Sequence, residues 1–129
     1  MPTTEPKKVF IVDDDEMLRT ALQDYLSRKG DYAVSVFETG EECMQHLNER
    51  PYAVILDYYL NSIHKDAANG LDVLKQIKSQ EDHIHVIMLS NQESYGTALQ
   101  TIQKGAEQYV IKDESSFQNI SEILSSLGR

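Results

Sequence analysis

Four short apolar runs along the chain each end on a polar side chain. They are Val9-Phe10-Ile11-Val12 before Asp13-Asp14, Ala53-Val54-Ile55-Leu56 before Asp57, Val86-Ile87-Met88-Leu89 before Ser90, and Tyr109-Val110-Ile111 before Lys112. Near-continuous runs rich in Val and Ile predict strands buried on both faces, hence a parallel sheet covered by helices. A weaker alternation over 32–37 predicts one more strand. Between the strands the apolar spacing becomes helical: Met17, Leu18, Ala21, Leu22, Tyr25 and Leu26 over 16–29, then Leu71, Leu74 and Ile77 over 70–78. Another helix is expected over about 93–104, and a last one over 115–127 with Phe117, Ile120, Ile123, Leu124 and Leu127 on one stripe. Thr39-Gly40-Glu41-Glu42 has the spacing of a capping box and opens a helix expected to end near Asn48. Gly30 and Gly105 read as helix stops.

Five βα units in strict alternation with short connections favour an α/β, doubly wound, flavodoxin-like (βα)5 fold with a parallel five-stranded sheet in the order 2-1-3-4-5. Ligands of such sheets bind outside the carboxyl ends of the strands, where the strand order reverses. Here that point lies between strands one and three, which carry Asp13-Asp14 and Asp57. Three carboxylates, the Ser90 hydroxyl and the Lys112 ammonium are therefore expected to converge on one rim.

Composition narrows the partners. The 129 residues carry a formal net charge of −9, which disfavours direct binding to nucleic acid or to an anionic membrane surface and leaves protein as the expected partner. Cys43 is the only cysteine, so no internal disulfide can form; it is expected to be buried and inert. No apolar stretch is long enough to span a bilayer, and the chain reads as cytoplasmic. Residues 1–7 read as a flexible polar tail before one domain over 8–129. The histidines His46, His64, His83 and His85 show no metal-binding spacing with cysteine.

Two like charges about 4 Å apart cost roughly 4 kcal/mol at an effective dielectric near 20, so the acidic rim calls for raised pKa values, a cation, or both. Carboxylates without nitrogen or sulfur neighbours suit a hard divalent ion such as Mg²⁺. Lys112 is placed to pair with Asp57 and with phosphate oxygens, and Ser90 to donate to a phosphoryl oxygen. Together they outline a phosphoryl-transfer site with Asp57 as nucleophile. Asp15 and Glu16 have a simpler role open to them, since acidic residues favour helix N-termini. Tyr109 is open to two readings, a half-buried packing aromatic or a switch.

These residues, in this order, carry a family resemblance. The acidic pair in 9–14, the segment 54–60 around Asp57, Ser90 after strand four, and Gly105-Ala106 with Tyr109 and Lys112 around strand five resemble the receiver domain of two-component response regulators over nearly the whole chain. The resemblance implies a signalling switch that takes a phosphoryl group from a histidine kinase phosphohistidine onto Asp57, catalysing only its own phosphorylation and dephosphorylation. It implies Asp14, Asp57 and the backbone carbonyl of Tyr59 as ligands of Mg²⁺, or of Mn²⁺ in its place, with Asp13 acting through water. Ser90 and Tyr109 would form the switch pair, Lys112 would hold the phosphate, and Tyr59 and Gln92 would flank the phosphoryl group. Partners implied are a histidine kinase or phosphotransfer protein, a downstream protein or fused output domain, and a phosphorylation-dependent homodimer. The output surface would be helix four, strand five and helix five.

Departures from the family pattern stand at Asn61, where a proline is usual, in the added stretch before Gly70, at Asn91, and at Asp113, which replaces a second proline. The alternative function is an aspartate-nucleophile phosphohydrolase on a related sheet, which wants an aspartate where Tyr59 stands. A flavin or nucleotide module would want a glycine-rich loop where the chain has Asp13 to Glu16. A degenerate receiver that only binds proteins would not keep these aspartates and the lysine.

Overall fold

The computed structural model describes residues 6–60 and 66–127. Its elements run β1 (Lys7–Val12), α1 (Glu16–Ser27), β2 (Tyr32–Phe37), α2 (Gly40–Gln45), a 3₁₀ turn (Leu47–Glu49), β3 (Ala53–Asp57), α3 (Gly70–Gln80), β4 (His85–Ser90), α4 (Tyr95–Gln103), β5 (Gln108–Ile111) and α5 (Ser116–Leu127). The five strands form one parallel sheet in the order β2-β1-β3-β4-β5, as expected from the alternation of apolar runs.

Because side chains alternate along a strand, each buried run feeds two cores. Phe10, Val12, Val54, Leu56, Val86 and Met88 face α2 and α3, packing on Cys43, Val73, Leu74 and Ile77. Val9, Ile11, Ala53, Ile55, Ile87 and Leu89 face α1 and α5, packing on Leu22, Leu26, Ile120 and Leu124. Central β3 is buried at all five positions. Helix α4 differs: Thr101 is its only buried residue, while Tyr95, Leu99 and Ile102 stand exposed on one side.

Boundaries moved where local chemistry outweighed periodicity. Strand β1 begins at Lys7, inside the stretch read as a tail, because the Lys7 N–H bonds the Asp31 carbonyl at 3.0 Å. Helix α2 stops at Gln45 and tightens into the 3₁₀ turn, which ends on Arg50 in a left-handed conformation at φ 57°. Its capping box is half-formed: Thr39 Oγ1 accepts the Glu42 N–H at 3.2 Å, but the Glu42 carboxylate takes the Thr39 hydroxyl. Helix α4 starts at Tyr95 because Ser94 caps it, accepting the Thr97 N–H at 3.2 Å. Cys43 is buried as expected, and burial pushes its thiol up to about 12. Three of the histidines pair with acids, His46 with Glu49, His83 with Glu81 and His85 with Glu107. Asn61 and His64 lie outside the described residues.

Gly70, late in sequence, is needed where it stands. Its N–H bonds the Tyr58 carbonyl at 2.8 Å, and a Cβ there would lie 2.6 Å from Tyr58 Cα and press on the Asp57 carbonyl. Gly70→Ala should therefore lower unfolding free energy by about 1–3 kcal/mol and shift the amide resonances of 57–59, measured by urea denaturation and NMR. Wild-type stability in the variant would show that the loop has room to yield.

Candidate functional site

The carboxyl ends of β1, β3, β4 and β5 meet, and the expected residues meet with them. Asp13 and Asp14 follow β1, Asp57 ends β3, Ser90 ends β4 and Lys112 follows β5. Register sets the alignment: Asp57 pairs with Leu89, one residue before Ser90, and Ser90 pairs with Ile111, one residue before Lys112. The Lys112 N–H bonds the Ser90 carbonyl at 2.7 Å and carries the β4–β5 ladder one step further.

Lys112 Nζ stands 3.1 Å from Asp13 Oδ2 and 3.4 Å from Asp57 Oδ1. Asp13 is 1% exposed and Asp57 3% exposed. Burial pushes the Asp57 carboxyl up to about 7, helped by repulsion from Asp13 and opposed by Lys112 and the Tyr59 N–H. Burial likewise raises Asp13 against the pull of Lys112. Burial works to lower Lys112, but attraction to Asp57 and Asp13 outweighs it and its pKa rises. The ammonium therefore stays charged.

Local bonds hold the carboxylates in place. Asp13 Oδ1 accepts the Asp15 N–H at 2.9 Å, and Arg19 reaches back to the Asp13 carbonyl at 2.8 Å. Asp15 caps α1 by accepting the Met17 and Leu18 N–H groups, so its role is the simpler one. Asp57 Oδ1 accepts the Tyr59 N–H at 3.3 Å. Asp113, where a proline was expected, opens α5 instead: its side chain accepts the Ser115 N–H at 2.9 Å and its carbonyl the Ser116 hydroxyl at 2.9 Å.

Asp13, Asp14 and Asp57 each offer an oxygen within 4.8 Å of the others, the only such cluster of metal-ligating side chains among the described residues. Asp13 Oδ2 is buried without a hydrogen bond, 3.1 Å from the Lys112 ammonium. Three carboxylates held this close repel one another when ionised. An oxygen-only donor set of this kind fits a hard divalent cation.

A family model described as the response regulator receiver domain matches residues 9–125. The chain belongs to that family. Among curated proteins it is 31% identical over 108 residues to the response regulator MprA of Mycobacterium sp. strain KMS, covering 83% of this chain and 44% of that protein. It is 31% identical over 107 residues to the alkaline phosphatase synthesis transcriptional regulatory protein PhoP of Bacillus subtilis, covering 82% and 42%. The chain thus spans less than half the length of these relatives. Among solved structures, the receiver domain of NtrX from Brucella abortus is 26% identical with a TM-score of 0.81, covering 93% of this chain and 98% of that one. The signal receiver domain of a putative Luxo repressor protein from Vibrio parahaemolyticus is 26% identical with a TM-score of 0.83, covering 97% and 92%. The protein is a response regulator receiver domain of a two-component system, a regulatory domain rather than a classical enzyme. That sets aside the phosphohydrolase alternative. No helix among the described residues is long and apolar enough to cross a membrane.

The geometry adds Arg19, which lies in no motif and fixes the acidic loop. Gln92, expected from the resemblance to flank the phosphoryl group, bonds Ser90, Tyr59 and Tyr109 at once, and those partners no sequence signal marks.

The raised Asp57 carboxyl gives the metal-free receiver a defined pH dependence. The folded protein holds a proton that the unfolded chain releases near pH 4, so stability falls as pH rises from about 4 to about 7. In chelator, Asp57→Asn should be more stable than wild type at pH 8, by up to about 4 kcal/mol, with the gain fading towards pH 4. Urea unfolding at both pH values measures it; a gain independent of pH would contradict the assignment.

Proposed function

We propose that this receiver accepts a phosphoryl group on Asp57 from the phosphohistidine of a histidine kinase or phosphotransfer protein, in a Mg²⁺-dependent reaction. The observation that carries the reading is the buried Asp57 carboxylate facing both Lys112 and a cluster of two further acids. Asp57 Oδ1 is taken up by Lys112 and the Tyr59 N–H, which leaves Oδ2 as the attacking oxygen. An Oδ2 lone pair forms the new bond to phosphorus while the bond from phosphorus to the imidazole nitrogen breaks, and the departing imidazole takes a proton from solvent. Hydrolysis by water later returns the carboxylate and inorganic phosphate.

Asp14, Asp57 and the Tyr59 carbonyl are the proposed ligands of the cation, with Asp13 acting through water, as the family resemblance implies. When bound there, Mg²⁺, or Mn²⁺ in its place, neutralises charge as the phosphoryl group meets the carboxylates. Lys112 follows the phosphoryl oxygens as a point charge, and Ser90 donates its hydroxyl. Tyr59 shields the product from water.

Phosphorylation is read on the surface of α4, β5 and α5. The hydroxyl of Ser90 meeting a charged phosphoryl oxygen is worth about 1.5–3 kcal/mol. That bias moves a two-state population about tenfold or more, between packings in which Tyr109 lies outward or inward. Soluble downstream protein, a fused output domain or a second copy of the receiver is the expected reader, in keeping with the net charge of −9.

With acetyl phosphate and Mg²⁺, intact-mass measurement should show one added phosphoryl group, absent in Asp57→Asn and lost with chelator. Equal labelling of Asp57→Asn would rule out Asp57 as acceptor. Ser90→Ala should still be labelled, yet lose most of the beryllofluoride-induced amide shifts around Tyr109 and α4; a full wild-type response there would remove Ser90 from the switch.

A further inference from the structure

Arg19 stands in the first turn of α1, four residues after Asp15 and three after Glu16. Opposite charges at those spacings commonly pair on a helix surface, and Arg28 pairs in this way with Asp24. Among the described residues Arg19 pairs with no acid. It turns back along the chain instead, and its Nη1 donates to the Asp13 carbonyl at 2.8 Å.

That carbonyl belongs to the peptide that links Asp13 to Asp14. It lies two residues before the Asp15 cap, outside the helical ladder, and the Met17 and Leu18 N–H groups are taken by the Asp15 side chain. The plane of this peptide sets the direction in which the Asp14 side chain leaves the backbone. Other bonds of the loop attach on either side of it: the Asp13 N–H reaches the Phe37 carbonyl at 3.1 Å, and Asp13 Oδ1 accepts the Asp15 N–H at 2.9 Å. Packing adds little beyond Asp14, since Asp15, Glu16 and Met17 are exposed. We infer that Arg19 is a positioning residue for the cation site, holding the Asp13–Asp14 peptide so that both carboxylates stay beside Asp57. The inference rests on the Mg²⁺ reading above and adds the group that shapes the acidic loop from outside it.

An arginine beside a cation site has two opposed effects. Its charge repels a divalent ion, so electrostatics alone makes Arg19→Ala bind Mg²⁺ more tightly. Positioning works the other way, because a ligand set free to turn must be ordered again when the ion binds. Half-buried Arg19 makes a charge-assisted bond, a class roughly twice as strong as neutral hydrogen bonds. Outer groups that orient metal ligands typically change affinity by about 10- to 100-fold. Positioning therefore outweighs repulsion, and the sign of the change separates the two.

The test titrates the unphosphorylated full chain with Mg²⁺, followed by the amide resonances of Asp14 and Asp57. A second titration uses Mn²⁺, followed by the electron paramagnetic resonance of the free ion. Arg19→Ala should weaken both by roughly 10-fold. Arg19→Lys keeps a charged donor on a long stem and should recover most of that loss. Arg28→Ala removes the same charge from the far end of α1 and should leave both affinities unchanged. Arg19→Met keeps the apolar stem and replaces Arg19→Ala if that variant folds poorly. With acetyl phosphate, Arg19→Ala should need more Mg²⁺ for half-maximal labelling. At saturating Mg²⁺ its rate should come within about 2-fold of wild type, because Arg19 touches no reacting atom. Unchanged or tighter binding in Arg19→Ala overturns the inference, as does a rate that stays low at saturation or an equal loss in Arg28→Ala. A wild type that binds neither ion overturns the reading of the acidic cluster itself, whereas a wild type that binds, with Arg19 variants unchanged, overturns the role of Arg19 alone.

Discussion

A carboxylate taken out of water loses hydration worth several kcal/mol unless charge and hydrogen bonds replace it. Asp13 and Asp57 are both almost wholly buried, beside Asp14, and the charge that answers them is Lys112, 3.1 and 3.4 Å away. The rim is built to keep that ammonium in place. Strand β5 ends beside β4, the Lys112 N–H extends their ladder, and Asp113 turns the chain at once into α5. Burial, with repulsion from Asp13, still holds the Asp57 carboxyl raised, and Asp13 Oδ2 lies buried without a hydrogen bond. An acidic, oxygen-only cluster of that kind is receptive to a divalent cation.

Rigidity and freedom are divided across the sheet. The carboxylates sit on β1 and β3, whose ends are locked between two apolar cores, and Gly70 packs α3 directly onto the backbone behind Asp57. On the far side α4 is held by few buried groups and by hydrogen bonds of its preceding loop. The rigid acidic centre thus lies beside an element whose position depends on a handful of directional contacts. Packed cores respond in steps, whereas such contacts set which of two arrangements is lower in energy.

Departures from the family pattern are compensated locally. Asp113, standing where a proline is usual, accepts the Ser115 N–H on its side chain, and its carbonyl takes the Ser116 N–H and hydroxyl. Gly70, displaced along the sequence by the longer loop, still reaches the Tyr58 carbonyl. The loop itself is anchored at its end, where the Ala68 N–H meets the Glu41 carboxylate at 3.0 Å. Match to the family over 9–125 is thus retained through residues that differ from its usual choices.

The apolar runs ending at Val12, Leu56, Leu89 and Ile111, with the alternation over 32–37 and the helical spacing between them, pointed to the sheet, its strand order and the convergence of Asp13, Asp14, Asp57, Ser90 and Lys112. They sufficed because short runs rich in Val and Ile, alternating with helices, imply strands buried on both faces, and because right-handed crossovers admit few topologies. Helix ends were legible only to within a turn, since Ser94 and Asp113 act through side-chain bonds that compete with periodicity. What tertiary structure alone decided was the rest of the pairing at the rim: that Lys112, expected on Asp57, also takes Asp13, that Arg19 secures the acidic loop, and that Gln92 links Tyr59, Ser90 and Tyr109. Those contacts join residues as many as 99 positions apart, Asp13 to Lys112. Their energies come from distance and burial, quantities that no local pattern encodes and that exist only once the strands lie side by side.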